Sequence, residues 1–171
     1  MKRLYLAGPA GFSELASIGL QKLKEMLSPF FEIIDPFLES QALGSEIIKL
    51  QSSLTEKDDD KSENNKFTNV VTRLQAANFK IGENNANFIQ QADLVCAILD
   101  GADVDSGTAA EIGYAYGLGK RIYGYRGDFR ISGDNLGSKI NLQVEYFIHA
   151  SGGQVFYSMA ELKTYFTTAT P

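Results

Sequence analysis

The sequence contains few of the residues on which several kinds of protein chemistry depend. It has one cysteine and one histidine among 171 residues. A disulfide within the chain is therefore impossible, and a zinc site lacks its usual set of cysteine and histidine ligands. Cys96 lies in the apolar run DLVCAIL. This position favours a buried, unreactive thiol and a reducing, cytoplasmic location.

Basic residues and long apolar runs are also scarce. The net charge is −5 and the isoelectric point is near 4.9, whereas proteins that grip nucleic acid neutralise phosphates with clustered lysine and arginine. No apolar run reaches the roughly 18 residues at which a membrane-spanning helix becomes a candidate. We therefore expect neither a nucleic-acid polymer nor a membrane as a partner. Hydrophobic and charged fractions of 44% and 22% are typical of a globular domain.

Strand-like and helix-like patterns alternate along the chain. The strand-like runs are RLYLAG, FFEIIDPF, DLVCAILDG, RIYGYR and QVFYS, and helical patterns separate them. This alternation predicts a single α/β domain, a doubly wound, flavodoxin- or Rossmann-like sheet of about five parallel strands flanked by helices. The charged segment TEKDDDKSENNK predicts an exposed loop near residues 51–66.

Two turns follow strands at the edge where such folds bind ligands, the carboxyl ends of the strands. They are AGPAGF after the first strand and DGADVDSGT after the third. The glycines of the first turn, Gly8 and Gly11, do not have the spacing of a dinucleotide-binding fingerprint, and no lysine-bearing phosphate loop is present. We therefore expect no nucleotide cofactor.

The acidic second turn does not match a metal-binding motif. An EF-hand loop counted from Asp103 would place Tyr114 at the position that needs glutamate, and one counted from Asp100 places apolar residues at two ligand positions. A serine hydrolase would depend on His149, the single histidine, and no G-x-S-x-G motif occurs. We expect no metal, and the chemistry that remains is that of carboxylates.

Glu111 has two interpretations. In the first, TAAE is a capping box in which Thr108 is the helix N-cap and Glu111 binds its amide. In the second, Glu111 is a nucleophile, because it follows a turn at the carboxyl end of a strand and a helix N-terminus favours its ionised form. Gly113 and Gly117 would share a face and allow the helix to lie close to the sheet.

Four segments carry a resemblance to a known family. They are LYLAGPAGF, NNANFIQQADLVCAILDG, DVDSGTAAEIGYAYGLGKRIYGYRGDFR and INLQVEYFI, and together they resemble the nucleoside 2-deoxyribosyltransferases. The resemblance covers both turns and most of the chain after Ala77. It implies a glycosyltransferase of nucleotide salvage that exchanges the bases of deoxynucleosides through a covalent glycosyl-enzyme intermediate, with retention, and hydrolyses them slowly when no acceptor base is present.

The resemblance also implies roles for particular residues. Glu111 corresponds to the nucleophile, and Asp105 to the aspartate that contacts the nucleobase and helps to transfer a proton to it. Tyr5 corresponds to a tyrosine near the nucleophile and Phe12 to an aromatic residue against the base. Asn85 stands where the family has an aspartate or asparagine facing the base.

The same resemblance and the loop after RIYGYR suggest further binding residues. The L-A-G-P turn adds Gly8 and Pro9. Asn141 and Gln143 match a segment that completes a neighbouring subunit's site, which implies a homo-oligomer, either a dimer or a hexamer. Gln143 stands where some members have methionine. Asp128 is a candidate contact to the base, and the alternative is that its loop is a mobile polar segment.

Two other functions are compatible with these residues. A hydrolase of the same superfamily acts on deoxynucleoside 5′-monophosphates, but its first turn typically carries a G-S motif and further groups for phosphate. The first turn here has no hydroxyl group, which favours free nucleosides. In a non-enzymatic nucleotide-sensing α/β domain, Glu111 would be only a helix cap.

Overall fold

Five parallel strands form one sheet in the computed structural model, which describes residues 1–54 and 63–168. The strands are β1 (Lys2–Ala7), β2 (Phe31–Ile34), β3 (Leu94–Ile98), β4 (Arg121–Tyr125) and β5 (Val155–Phe156), in the spatial order β2-β1-β3-β4-β5. This order is that of flavodoxin-like proteins. The predicted fold, a single α/β domain with a five-stranded parallel sheet, is confirmed.

Helices connect the strands. They are α1 (Glu14–Leu27), α2 (Pro36–Glu39), α3 (Gln41–Ser53), α4 (Glu63–Gln91), α5 (Ser106–Gly117), α6 (Leu142–Ala150) and α7 (Met159–Thr168), and a 3₁₀ turn covers Pro9–Phe12. Both ends of the loop predicted near residues 51–66 are helical, and residues 55–62 lie outside the described part of the chain. Within that part, no helix is both long and apolar enough to cross a membrane.

Each face of the sheet packs against its own set of helices. Along β1, Leu4 and Leu6 point to the face covered by α1 and α7, whereas Tyr5 and Ala7 point to the face covered by α4, α5 and α6. This alternation follows from the period of two in a strand. It places the side chain of Tyr5 on the same face as α5, the helix that carries Glu111.

The central strand β3 is buried along its whole length, as a strand covered on both faces must be. Cys96 lies in this strand with no exposed surface, and burial raises the pKa of its thiol to about 12. The prediction of a buried thiol is confirmed.

The two turns at the carboxyl edge lie side by side, because β1 and β3 are adjacent, with Ala7 opposite Ala97. From there β1 leads to α1 on one face and β3 leads to α5 on the other, so the connections diverge and leave a crevice. Gly8 has a φ of +150°, and a Cβ atom there would lie 2.8 Å from the Cβ of Ile98. Only glycine permits this close approach of the two turns.

Candidate active site

Helix α5 begins with an aspartate cap. The Oδ2 atom of Asp105 accepts hydrogen bonds from the amide of Thr108 at 2.9 Å and from its hydroxyl at 3.0 Å. Thr108 is therefore the third residue of the helix, and Glu111 lies in the second turn. Of the two interpretations of Glu111, the capping box is wrong, because Asp105 is the N-cap and binds the Thr108 amide that Glu111 would bind in such a box.

Side chains from three elements meet at the Glu111 carboxylate. Its Oε1 atom accepts hydrogen bonds from the hydroxyl of Tyr5 on β1 at 2.7 Å and from the side-chain amide of Asn85 on α4 at 3.2 Å. Among the residues that the structure describes, none donates a hydrogen bond to Oε2. One oxygen is thus held in place while the other is left for a ligand. Tyr5, Asn85 and Glu111 are called the carboxylate cluster below.

Burial is the main influence on the charge of Glu111 and raises its pKa. The hydrogen bond from Tyr5 opposes this increase, the negative charge of Asp105 adds to it, and the hydrogen bond from Asn85 again opposes it. The effect of the helix N-terminus, which favours the ionised form, is opposed by burial, because Glu111 lies in the second turn of the helix and is partly shielded from water. Burial and the Glu111 charge also raise the pKa of Tyr5, which keeps its hydroxyl protonated as a donor.

Asp105, like Glu111, has one carboxylate oxygen that accepts hydrogen bonds and one that does not. Its Oδ2 caps α5, whereas Oδ1 receives no hydrogen bond from any residue in the described ranges. The two carboxylates are close enough for the charge of Asp105 to affect the pKa of Glu111. The site therefore offers two carboxylates, each with one oxygen constrained and one available.

Asn85 has one polar atom without a partner. Its Oδ1 is buried and makes no hydrogen bond within the described part of the chain, while its amide nitrogen donates to Glu111. Buried polar atoms in folded proteins are nearly always paired. An unpaired acceptor beside Glu111 is a place where a bound molecule could donate a hydrogen bond.

The first turn follows β1 at the carboxyl edge of the sheet. Gly8 and Pro9 connect β1 to the 3₁₀ turn. Phe12 is 85% exposed and packs edge to face against Phe37, with 4.8 Å between ring centroids. In the described residues, no hydrogen bond joins this turn to Glu111. The structure thus brings Tyr5 and Asn85 to Glu111 but leaves the ring of Phe12 at the surface.

Asp128 and Asn141, two of the remaining predicted binding residues, have hydrogen-bond partners outside the carboxylate cluster. The Asp128 carboxylate binds the guanidinium of Arg130, which lowers the pKa of Asp128. Asn141 caps α6 by accepting hydrogen bonds from the amides of Gln143 at 3.0 Å and Val144 at 3.2 Å, and the side chain of Gln143 is exposed. No hydrogen bond in the described ranges links Asp128, Asn141 or Gln143 to the cluster.

The small residues of α5 act differently from the prediction. A Cβ atom on Gly113 would meet the ring of Phe147 on α6 at 3.7 Å, and one on Gly117 would have open space around it. Ile112 and Ala115 are the residues of α5 that pack on the sheet. The prediction that the two glycines allow α5 to approach the sheet is therefore wrong.

Sequence reasoning missed two structurally important groups, Arg126 and Asp35. Arg126 at the end of β4 is only 1% exposed. Asp35 after β2 caps α2, pairs with Lys24 at 2.7 Å and lies near enough to raise the pKa of Tyr5. Aspartate before proline indicates a helix start, so the cap could have been found, whereas burial of an arginine depends on packing.

The fold is that of flavodoxin-like α/β proteins, and Asp105 and Glu111 follow β3, at the switch point where proteins of this class bind small molecules. The chain belongs, within this class, to the nucleoside 2-deoxyribosyltransferase family, because the model of that family matches residues 4–143. A comparison with curated protein sequences finds no match.

Solved structures of low sequence identity share the fold. A 2-deoxyribosyltransferase from Leishmania mexicana is 21% identical, with 97% of each chain covered and a TM-score of 0.59. A 2-deoxyribosyltransferase from Bacillus psychrosaccharolyticus is 21% identical, with 97% of this chain and 94% of that chain covered and a TM-score of 0.60. A CMP N-glycosidase from Clostridium botulinum is 15% identical over 98% and 100% of the two chains, with a TM-score of 0.52.

Proposed function

We propose that the protein transfers the 2-deoxyribosyl group from one nucleobase to another, with Glu111 as the nucleophile. The observation that carries this proposal is the state of the Glu111 carboxylate. Oε1 is held by Tyr5 and Asn85, Oε2 has no donor among the described residues, and α5 is capped without Glu111. A carboxylate that only stabilised a helix would bind main-chain amides instead.

In the first step, Oε2 of Glu111 forms a bond to the anomeric carbon of the sugar as the bond from that carbon to the base nitrogen breaks. The electron pair of the broken bond leaves with the base, and the protonated form of Asp105 gives the base the proton on Oδ1, which leaves Asp105 as a carboxylate. Proton delivery makes the base a better leaving group. The negative charge of Glu111 stabilises the positive charge that develops on the sugar.

In the second step, a nitrogen of an incoming base attacks the same carbon and the bond to Glu111 breaks. Asp105 takes up the proton that the incoming base loses, which restores the free enzyme. Each step inverts the configuration, so the product retains the original one. When no base is present, water takes its place and the deoxynucleoside is hydrolysed slowly. Neither step requires a cofactor.

The preference for a 2-deoxy sugar has a steric basis in this proposal. The Tyr5 hydroxyl binds Oε1 of Glu111, and in this proposal the sugar approaches the other oxygen of the same carboxylate. A 2′-hydroxyl would have to share this space. Ribonucleosides should therefore react far more slowly than deoxynucleosides, and equal rates of the two would contradict this explanation.

The proposal includes an assembly of several identical subunits. Gln143 and Tyr146 are exposed on α6, where Asn141 and Gln143 could complete a neighbouring site in a dimer or hexamer. Mixing two inactive variants, Glu111→Gln and Asn141→Ala, then allows some mixed sites to contain both intact groups. Recovery of exchange activity on mixing is the expected result, and a monomer in light scattering would contradict it.

The central experiment incubates the purified protein with deoxyinosine and adenine and follows deoxyadenosine by chromatography. We expect exchange by the natural protein, none by Glu111→Gln, and undiminished exchange by Glu83→Gln, which alters an exposed glutamate on α4. Without adenine, mass spectrometry should find one 2-deoxyribosyl group attached to Glu111. Exchange by Glu111→Gln, or a sugar attached to another residue, would reject the mechanism.

The same assay separates the two alternatives. A nucleoside 5′-monophosphate hydrolase would consume deoxynucleoside monophosphates, release the base and show no transfer to adenine. A non-enzymatic sensor domain would bind nucleotides without forming any product. The first turn, which runs through Pro9, Ala10 and Gly11, offers neither a hydroxyl nor a basic side chain for phosphate, and this supports free nucleosides as substrates.

A further inference from the structure

Arg126 is a buried cation that binds main-chain carbonyls and, among the residues that the structure describes, no carboxylate. Its side chain is 1% exposed. One terminal nitrogen donates to the carbonyl of Leu99, and the other donates to the carbonyls of Gly101 at 3.2 Å and Arg130 at 2.8 Å. The Nε atom has no partner among the described residues. Burial of a charged group destabilises the fold unless hydrogen bonds compensate for its lost hydration.

The carbonyls that Arg126 binds belong to two loops at the carboxyl edge of the sheet. Leu99 and Gly101 lie in the turn from β3 to α5, which ends at Asp105, and Arg130 lies in the loop after β4. A further bond joins the same two loops, because the amide of Asp128 donates to Oδ1 of Asp100 at 2.9 Å. The turn from β3 to α5 is therefore joined to the segment after β4 by several hydrogen bonds.

The geometry of a guanidinium suits this task. It is planar and carries its donors in a fixed fork, so several carbonyls bound to one arginine are held in one arrangement. A lysine ammonium is a single point with a flexible stem. The backbone at Gly101 has a φ of +132°, a conformation that glycine adopts readily and other residues rarely adopt.

We propose that Arg126 is a positioning residue for Asp105. By holding the carbonyls of Leu99 and Gly101, it sets the path of the β3–α5 turn and thereby the place of the Asp105 carboxylate relative to the substrate. Arg126 acts through the turn and does not touch the reacting atoms. This inference rests on the proposed transferase function, in which Asp105 exchanges a proton with the base.

The activity test uses Arg126→Met, which keeps most of the side-chain volume and removes all donors. We expect kcat for base exchange to fall by about 10- to 100-fold, as small misplacements of catalytic groups do, with a smaller change in KM. Arg121→Met is the control, because this exposed arginine lies at the opposite end of the same strand. Arg126→Lys should recover part of the lost rate.

A double-mutant cycle with Asp105→Asn decides whether Arg126 acts through Asp105. If it does, Arg126→Met should cause little further loss of kcat once the carboxylate at position 105 is gone. Losses that multiply in the double variant would show that Arg126 acts independently and would overturn the inference. Natural rates of exchange in Arg126→Met would overturn it as well.

Hydrogen exchange of backbone amides tests the inference without relying on activity. Amides in residues 102–108 should exchange faster in Arg126→Met than in the natural protein or in Arg121→Met, and Arg126→Lys provides the measurement if Arg126→Met does not fold. Unchanged exchange in this turn would overturn the inference. Absence of base exchange in the natural protein would instead overturn the transferase function. Hydrogen exchange in residues 102–108 would still test whether Arg126 holds this turn.

Discussion

Replacing Tyr5 with phenylalanine removes one hydroxyl group and leaves the buried ring in place. That hydroxyl donates the shorter of the two hydrogen bonds to Oε1 of Glu111, at 2.7 Å, and Asn85 would keep the longer one at 3.2 Å. Because the lost bond stabilises the ionised carboxylate, its removal should raise the pKa of Glu111 further above its usual value.

The size of this effect follows from the strength of the bond. A hydrogen bond to a charged group contributes about 1.5–3 kcal/mol, and about 1.4 kcal/mol corresponds to a tenfold change in acid dissociation. The acid limb of the pH–rate profile, which reports ionisation of the nucleophile, should therefore move to higher pH by about one to two pH units in Tyr5→Phe. Asn85→Leu should move it in the same direction by less.

The assay is kcat/KM for base exchange measured across the acid range, because this parameter reports the ionisation of the free enzyme. Tyr123→Phe is the matched control. Its hydroxyl lies on the opposite face of the sheet, 3.3 Å from that of Tyr165, so its loss should leave the limb in place. An acid limb that stays where it was in Tyr5→Phe would refute the claim that the Tyr5 hydroxyl supports the charge of Glu111.

Three further predictions concern stability. Because burial raises the pKa of Glu111 in the folded state, the group destabilises the fold as the pH rises above its unfolded-state pKa, and the full loss is reached above its folded-state pKa. Glu111→Gln should therefore raise the melting temperature more at pH 7 than at pH 4, and equal gains would contradict this reasoning. Asp105→Ala should lower the free energy of unfolding by about 0.5–2 kcal/mol through loss of the α5 cap, whereas Asp105→Asn should retain it, as chemical denaturation can test. Gly8→Ala should destabilise the protein by about 1–3 kcal/mol, since its Cβ would lie 2.8 Å from that of Ile98. Gly19→Ala, which meets nothing within 4 Å, should be neutral or stabilising in the same thermal measurement.

The architecture followed from local patterns because each strand is an apolar run bounded by polar or turn residues. β3 is the clearest case, since a continuous apolar run is needed only where both faces are covered. The shortest strand, Val155–Phe156, and the short helix α2 after Asp35 were harder to delimit. Their extent depends on pairing with β4 and on a single cap.

The cap of α5 shows where local patterns become ambiguous. Asp105 and Thr108 are both good N-cap residues, and each can be followed by a plausible first turn. The choice between them depends on where the chain leaves β3, because that exit sets which side chain faces the free amides. The sequence contained both candidates, and the tertiary structure selected Asp105.

Periodicity and neighbours along the chain are enough to predict the parallel sheet, the two turns at its carboxyl edge and the presence of Glu111 beside one of them. The groups that surround Glu111 follow from contacts that form only in the folded protein. Tyr5 is 106 residues and Asn85 is 26 residues from it in the chain, and Arg126 is buried by loops that meet only in the folded protein. Contacts between distant segments depend on how strands are ordered and helices are packed, and no local spacing encodes them.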